Sequence, residues 1–155
     1  MQQHKFELFA DYFQFYLQDE KAKGDLSGSW TEDATQRLLA TAPETIGVGT
    51  VRNMTVPVSV EIQETEPTEG FDKWDHVVEC SLNVPSGKIV VAGCTDYFPD
   101  AARIKVQAGC YRARIFYGGL NTLSENGLEG DDHYTIVLWP ASISDVKILK
   151  QRKTK

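Results

Sequence analysis

The chain has 155 residues, 41% hydrophobic and 25% charged, with a formal net charge of −6. That length suits one domain whose core needs neither metal nor disulfide, and no run approaches the ~18 apolar residues that span a membrane. The charge is uneven: Lys147, Lys150, Arg152, Lys153 and Lys155 close the chain, which leaves 11 basic residues against 22 acids before them, a net of −11. Such a body repels nucleic acid and attracts basic proteins. We expect one β-sandwich domain over 1–146 and a basic, frayed tail over 147–155.

In chain order, residues 5–18 are dense in aromatics, with Phe13/Phe15/Leu17 alternating against Gln14/Tyr16/Gln18. This predicts one or two strands bent at Ala10–Asp11; an amphipathic helix competes, but the aromatics favour strand. After a polar loop over 19–29, Thr31 is a good N-cap, Glu32 and Asp33 suit a first helical turn, and Pro43 is the expected stop. From Thr45 the text is β. Strands are expected over 46–52, 55–63, 88–94 and 103–106, and a long one over 72–83. Pro57 marks an edge strand or a strand start. Trp74, His76, Val78, Cys80 and Leu82 would share one face.

Two further strands, Cys110–Tyr117 and Asp132–Trp139, bury Tyr111/Ala113/Ile115/Tyr117 and Tyr134/Ile136/Leu138 on every second residue. Between them runs a 14-residue acidic loop, Gly118–Asp131, long enough to suggest function. Helices do not alternate with strands, so a parallel α/β sheet is not expected. The fold class is all-β: an antiparallel sandwich of jelly-roll or Greek-key type with one short helix. The odd cysteine count, Cys80, Cys94 and Cys110, reads as reduced core thiols, and the N-terminus holds no cleavable apolar stretch. A cytoplasmic location is expected.

Catalytic signals are weak. No G-x-S-x-G and no P-loop is present. Asp131, Asp132 and His133 form the sharpest cluster, but strand phase turns neighbouring side chains apart, and calcium spacing is missing. Combined with His76, they define one alternative: a ligand- or divalent-metal-binding jelly roll, with an enzymatic version. Arg112 and Arg114 would project from the face opposite the core and pair with acids such as Glu79 or Asp132. Seven acids against one lysine lie between Glu61 and Glu79. This cluster and the 118–132 loop offer a surface complementary to a basic protein, with aromatic anchors at hand. The candidate partner-binding residues are Glu64, Glu66, Glu69, Asp72, Tyr97, Phe98, Glu125, Glu129, Asp131 and Asp132. No catalytic residue, metal ligand or cofactor is assigned.

The chain resembles the competence-associated nuclease inhibitors, the ComJ-like proteins. The resemblance rests on Tyr12-Phe13-Gln14-Phe15, Trp30-Thr31-Glu32-Asp33-Ala34, Gly49 followed by Arg52, Thr55-Val56-Pro57-Val58 and Tyr134-Thr135-Ile136-Val137-Leu138, spread over residues 8–139. It implies a small, cytoplasmic, non-enzymatic β protein that binds and blocks a nuclease, a description shared by bacterial immunity proteins. The leading expectation is therefore an inhibitor or immunity-type protein. It would neutralise a basic nuclease or effector toxin through acidic loops, without binding nucleic acid or membrane.

Overall fold

Apolar alternation decides which face of each strand is buried, and in the computed structural model, which describes residues 2–153, those faces meet between two sheets. The strands are β1 (Gln2–Phe9), β2 (Gln14–Asp19), β3 (Leu39–Ala42), β4 (Thr45–Gly49), β5 (Thr55–Ile62), β6 (His76–Val84), β7 (Lys88–Gly93), β8 (Ala102–Lys105), β9 (Gly109–Gly118), β10 (His133–Pro140) and β11 (Lys147–Lys150), with α1 at Glu32–Arg37. One sheet runs β1-β5-β10-β9-β6-β11 and the other β3-β4-β2-β7-β8. The all-β, two-sheet architecture with one short helix is as expected. The antiparallel expectation is corrected at one place: β10 lies parallel to β5, because the β9–β10 hairpin inserts between β5 and β6.

The core is built from the alternations read in the sequence. Val56/Val58/Val60, Tyr111/Ala113/Ile115/Tyr117 and Tyr134/Ile136/Leu138 of the first sheet face Phe15/Leu17, Ile46/Val48 and Ile89/Val91 of the second. Leaving such side chains in water costs about 1.5–3 kcal/mol each, so a register slip of one residue would be prohibitive. The bend at Ala10–Asp11 is a single 3₁₀ turn, Asp11–Phe13, and it leaves Phe13 exposed rather than in the core.

Four further expectations are corrected. Thr31 caps α1 through its Oγ1, which accepts from the Ala34 N–H at 3.2 Å, but the helix stops at Arg37. Leu38 turns left-handed, and Pro43-Glu44 forms the two-residue turn of the β3–β4 hairpin. Pro57 is no edge signal: β5 is flanked by β1 and β10, and the β10 ladder begins only at Val58. Trp74 precedes β6 and packs on the outer face with Val77 and Phe116. The basic tail does not fray over its first half: β11 pairs with β6, Ile148 opposite Val78. Residues 154–155 of that expectation lie outside the described residues. The outer face of the second sheet is covered by Leu26, Trp30 and Ala34, and Gly47 makes room, since a Cβ there would stand 2.7 Å from Leu26 Cδ1.

Candidate functional site: an acidic groove under a crossover

β5 and β6 run in the same direction with two strands between them. Their connection, residues 63–75, must therefore climb over the outer faces of β10 and β9. Two apolar side chains fasten it. The Phe71 and Trp74 rings lie 6.2 and 5.3 Å from Phe116, above Val77, Val137 and Trp139. Such pairs add about 0.5–1.5 kcal/mol beyond their area.

Arg114 of β9 is the polar fastening. It is buried, and its Nε donates to Glu79 of β6 at 2.9 Å. Nη2 donates to Glu66 of the crossover at 3.0 Å and Nη1 to the Pro67 carbonyl at 3.2 Å. The guanidinium lies between the Trp139 and Phe71 rings, 5.2 and 5.8 Å from their centres. Planarity and five donors let one arginine serve all of these at once, which a lysine could not. Of the two acids offered to Arg114 by the sequence reading, Glu79 is the partner.

Between crossover and sheet lies a groove of about 370 Å³. Glu61, Glu66 and Glu69 face it, over a floor of Phe116, Thr135 and Val137 and beside Trp74. Glu69 accepts from Trp74 Nε1 at 2.9 Å and pairs loosely with Lys73. Glu64 and Asp72 are exposed on the same crossover.

The second acidic segment meets the first. Asp75 Oδ2 accepts from the Leu120 N–H at 2.8 Å, and the His133 ring lies 5.3 Å from Trp74. The 118–132 loop is internally bonded: Glu129 N–H donates to Ser124 Oγ, and Asp131 N–H to Thr122 Oγ1. Glu125, Glu129 and Asp131 stay exposed. Asp132 does not, and its place among the partner-binding residues is corrected. It is fully buried, accepts from Arg52 Nε at 2.8 Å, and accepts from the Tyr134 hydroxyl at 2.7 Å. Tyr97 and Phe98 sit apart, on the β7–β8 connection. Tyr97 is 71% exposed and lines a hollow with Leu8 that shares no residue with the groove. Phe98 lies under Arg103.

The metal-binding alternative finds no common site. His76 is buried; its Nε2–H donates to the Arg37 carbonyl at 2.7 Å and its Nδ1 accepts from the Arg152 N–H. His133 is exposed over Gly118, and its Nδ1–H donates to the Asp131 carbonyl. Asp132 is bonded to Arg52 and Tyr134 in the interior. Among the described residues, no three His, Cys, Asp or Glu side chains are grouped to hold a metal ion. Burial lowers the His76 pKa and pushes the Tyr117 and Tyr134 hydroxyls up, so all three stay neutral near pH 7. Cys80, buried, is pushed up to about 12 and is no nucleophile.

Sequence reasoning missed that the crossover makes a second covered face. The available signal was Phe116, Val137 and Trp139, apolar residues on the side of their strands that should have been wet. It also missed Arg52 as the partner of Asp132, eighty positions away and invisible to local pattern.

No family model matches the chain, and no curated protein matches it in sequence. Two solved structures share its fold. ComJ from Bacillus subtilis, described as the inhibitor of the DNA degrading activity of NucA, superposes with a TM-score of 0.68 at 15% identity, covering 91% of this chain and 96% of that one. The protein described as crocagin biosynthetic gene J superposes with a TM-score of 0.61 at 19% identity, over 92% and 100% of the two chains. The resemblance to the ComJ-like proteins read from the sequence thus holds at the level of the whole fold.

Proposed function

We propose that this chain is a non-enzymatic inhibitor or immunity-type protein of the bacterial cytoplasm that binds and neutralises a basic effector, a nuclease foremost. Its acidic face would do so: Glu61, Glu64, Glu66, Glu69 and Asp72 on and beside the groove, and Glu125, Glu129 and Asp131 on the adjoining loop. The observation that carries the reading is the groove itself. Its carboxylates sit on strand β5, at Glu61, and on a crossover fixed by Arg114, Phe71 and Trp74, at Glu66 and Glu69, so little ordering entropy remains to be lost on binding. A basic active site that normally grips phosphate would meet negative charge already in place, on an apolar floor. The shared fold with ComJ, a nuclease inhibitor by its description, supports the same reading. Among the described residues, no helix is long and apolar enough to cross a membrane.

The test is affinity capture from the native host followed by titration calorimetry at low and high salt. A basic protein should be recovered, with an affinity that weakens as salt rises. Replacing Glu61, Glu64, Glu69 and Asp72 by their amides should slow association about tenfold or more at low salt. Recovery of no basic partner, or indifference to salt, would overturn the reading.

A further inference from the structure

A second cavity, larger than the acidic groove, lies elsewhere on the molecule. It is a cleft of about 620 Å³ between the 3₁₀ turn at Asp11–Phe13, the end of α1, the β4–β5 connection and the tail, and it shares no residue with the groove. Its walls are Tyr12, Phe13, Trp30 and Leu38, and its polar groups include Thr50 and Arg152. We propose that this cleft binds a small organic anion: a flat, apolar ring system bearing one carboxylate, sulfonate or phosphate.

The chemistry of the walls gives the ring system. Tyr12 and Phe13 hold left-handed backbone angles, φ 58° and 61°, in a region that L residues avoid. The turn nonetheless keeps them, with Phe13 N–H on the Ala10 carbonyl and the Phe13 carbonyl on Thr50 N–H. Strain of this kind persists where function asks for it. What it delivers here is two aromatic side chains, 69% and 50% exposed, at the mouth of a cavity. Trp30 opposite them is fixed by its Nε1–H, which donates to Gln14 Oε1 at 2.9 Å. Aromatic walls around a volume of a few hundred Å³ are the usual form of a small-molecule site.

Arg152 gives the charge. Its backbone is held in place by the hydrogen bond from its N–H to His76 Nδ1 at 3.0 Å. Its Nε is buried without a hydrogen-bond partner. Among the described residues its guanidinium pairs with no carboxylate, although the chain carries 22 acids. A buried donor on an unpaired cation is costly unless an acceptor arrives. A planar oxyanion fits the guanidinium fork in two-point fashion. Thr50, whose hydroxyl donates to the Arg52 carbonyl at 3.0 Å, closes the wall of the same cavity and leaves the charge to Arg152.

The test uses the full chain with naphthoate, naphthalenesulfonate and naphthyl phosphate, each against naphthol, which has the same rings without the charge. Calorimetry and ligand-detected NMR should show one saturable site per chain, with the preferred anion at least about tenfold tighter than naphthol. The ranking of the three anions identifies the acid group. Arg152→Gln should erase the preference and leave naphthol binding unchanged. Tyr12→Ala should weaken anion and naphthol alike. Thr35→Trp, introduced at an exposed position of α1 that lines the cleft, should block both without touching the fold, and it serves if Arg152→Gln does not fold. Equal binding of anion and naphthol, no saturable binding of any probe, or full binding by Thr35→Trp would overturn the proposal.

Discussion

Arg114 lies on the outer face of β9 with Glu79 and Glu66 on its nitrogens and Phe71 and Trp139 on its faces. The two carboxylates are not equivalent. Glu79 is buried, whereas the Glu66 side chain is 63% exposed. Arg114→Ala takes the close partner from buried Glu79 and leaves it only Arg112 at 4.0 Å, and we expect a loss of about 3 kcal/mol in urea unfolding. Glu66→Gln removes a solvent-screened partner and should cost at most about 1 kcal/mol in the same assay. His76 makes a second residue-level case. Burial, chiefly, and the nearby Arg152 guanidinium lower its pKa from the ordinary 6.5, against a smaller upward pull from the Arg37 carbonyl. The folded state therefore binds the proton less readily than the unfolded one. The stability due to neutral His76 is complete above pH 6.5 and drains away as pH falls below it, through the folded-state value. Thermal unfolding followed from neutral to mildly acidic pH should show this slope, and His76→Gln should flatten it.

At the scale of elements, the β3–β4 hairpin is where local sequence and local structure disagree most. Its turn is Pro43-Glu44, with Glu44 at φ 57°. Proline first and a left-handed residue second is the pattern of a type II turn, whose second position favours glycine. Glu44→Gly should stabilise by about 0.5–1 kcal/mol, read from the denaturation midpoint. A Gly there would have announced the hairpin in the sequence. With Glu in its place, Pro43 reads as a helix stop instead. The inward face of a strand was legible, because period-two alternation names its residues directly: β5 alternates throughout, and the inward sets of β9 and β10 were read correctly although their outer faces are covered too. Thr31 as a cap was legible too, since one side-chain hydroxyl decides it. The crossover was not, because alternation says which residues share a face and nothing about what covers it. Trp74 was phased with His76 for the same reason, as if β6 had already begun.

For the whole molecule, charge was the readable quantity, and it pointed to the acidic segments that the crossover and the 118–132 loop bring together at Trp74, Asp75, Leu120 and His133. The exception within that set is Asp132, whose burial depends on Arg52, a partner that no local window contains. Tyr97 and Phe98 fell elsewhere because sheet order, not sequence distance, sets adjacency. The tail, judged by its charge alone, was expected to have little to bury; in the fold β11 closes one edge of the larger sheet and delivers Arg152 to His76. Deleting residues 147–155 should bare the edge of β6, lower the unfolding midpoint and promote self-association, which sedimentation at rising protein concentration would reveal.

The slot between β5 and β6 has a kinetic consequence. It is empty when the first six strands are in place, and it is filled by β9 and β10, which follow later in the chain. Those strands complete the sheet only by entering beneath residues 63–75, so the sheet cannot be zipped up in the order of the sequence. The barrier to folding then contains the closure of long loops, and refolding should take milliseconds to seconds. Ile115→Val and Ile136→Val should slow refolding in stopped-flow experiments, whereas a conservative change at the β3–β4 hairpin should act mainly on the unfolding rate.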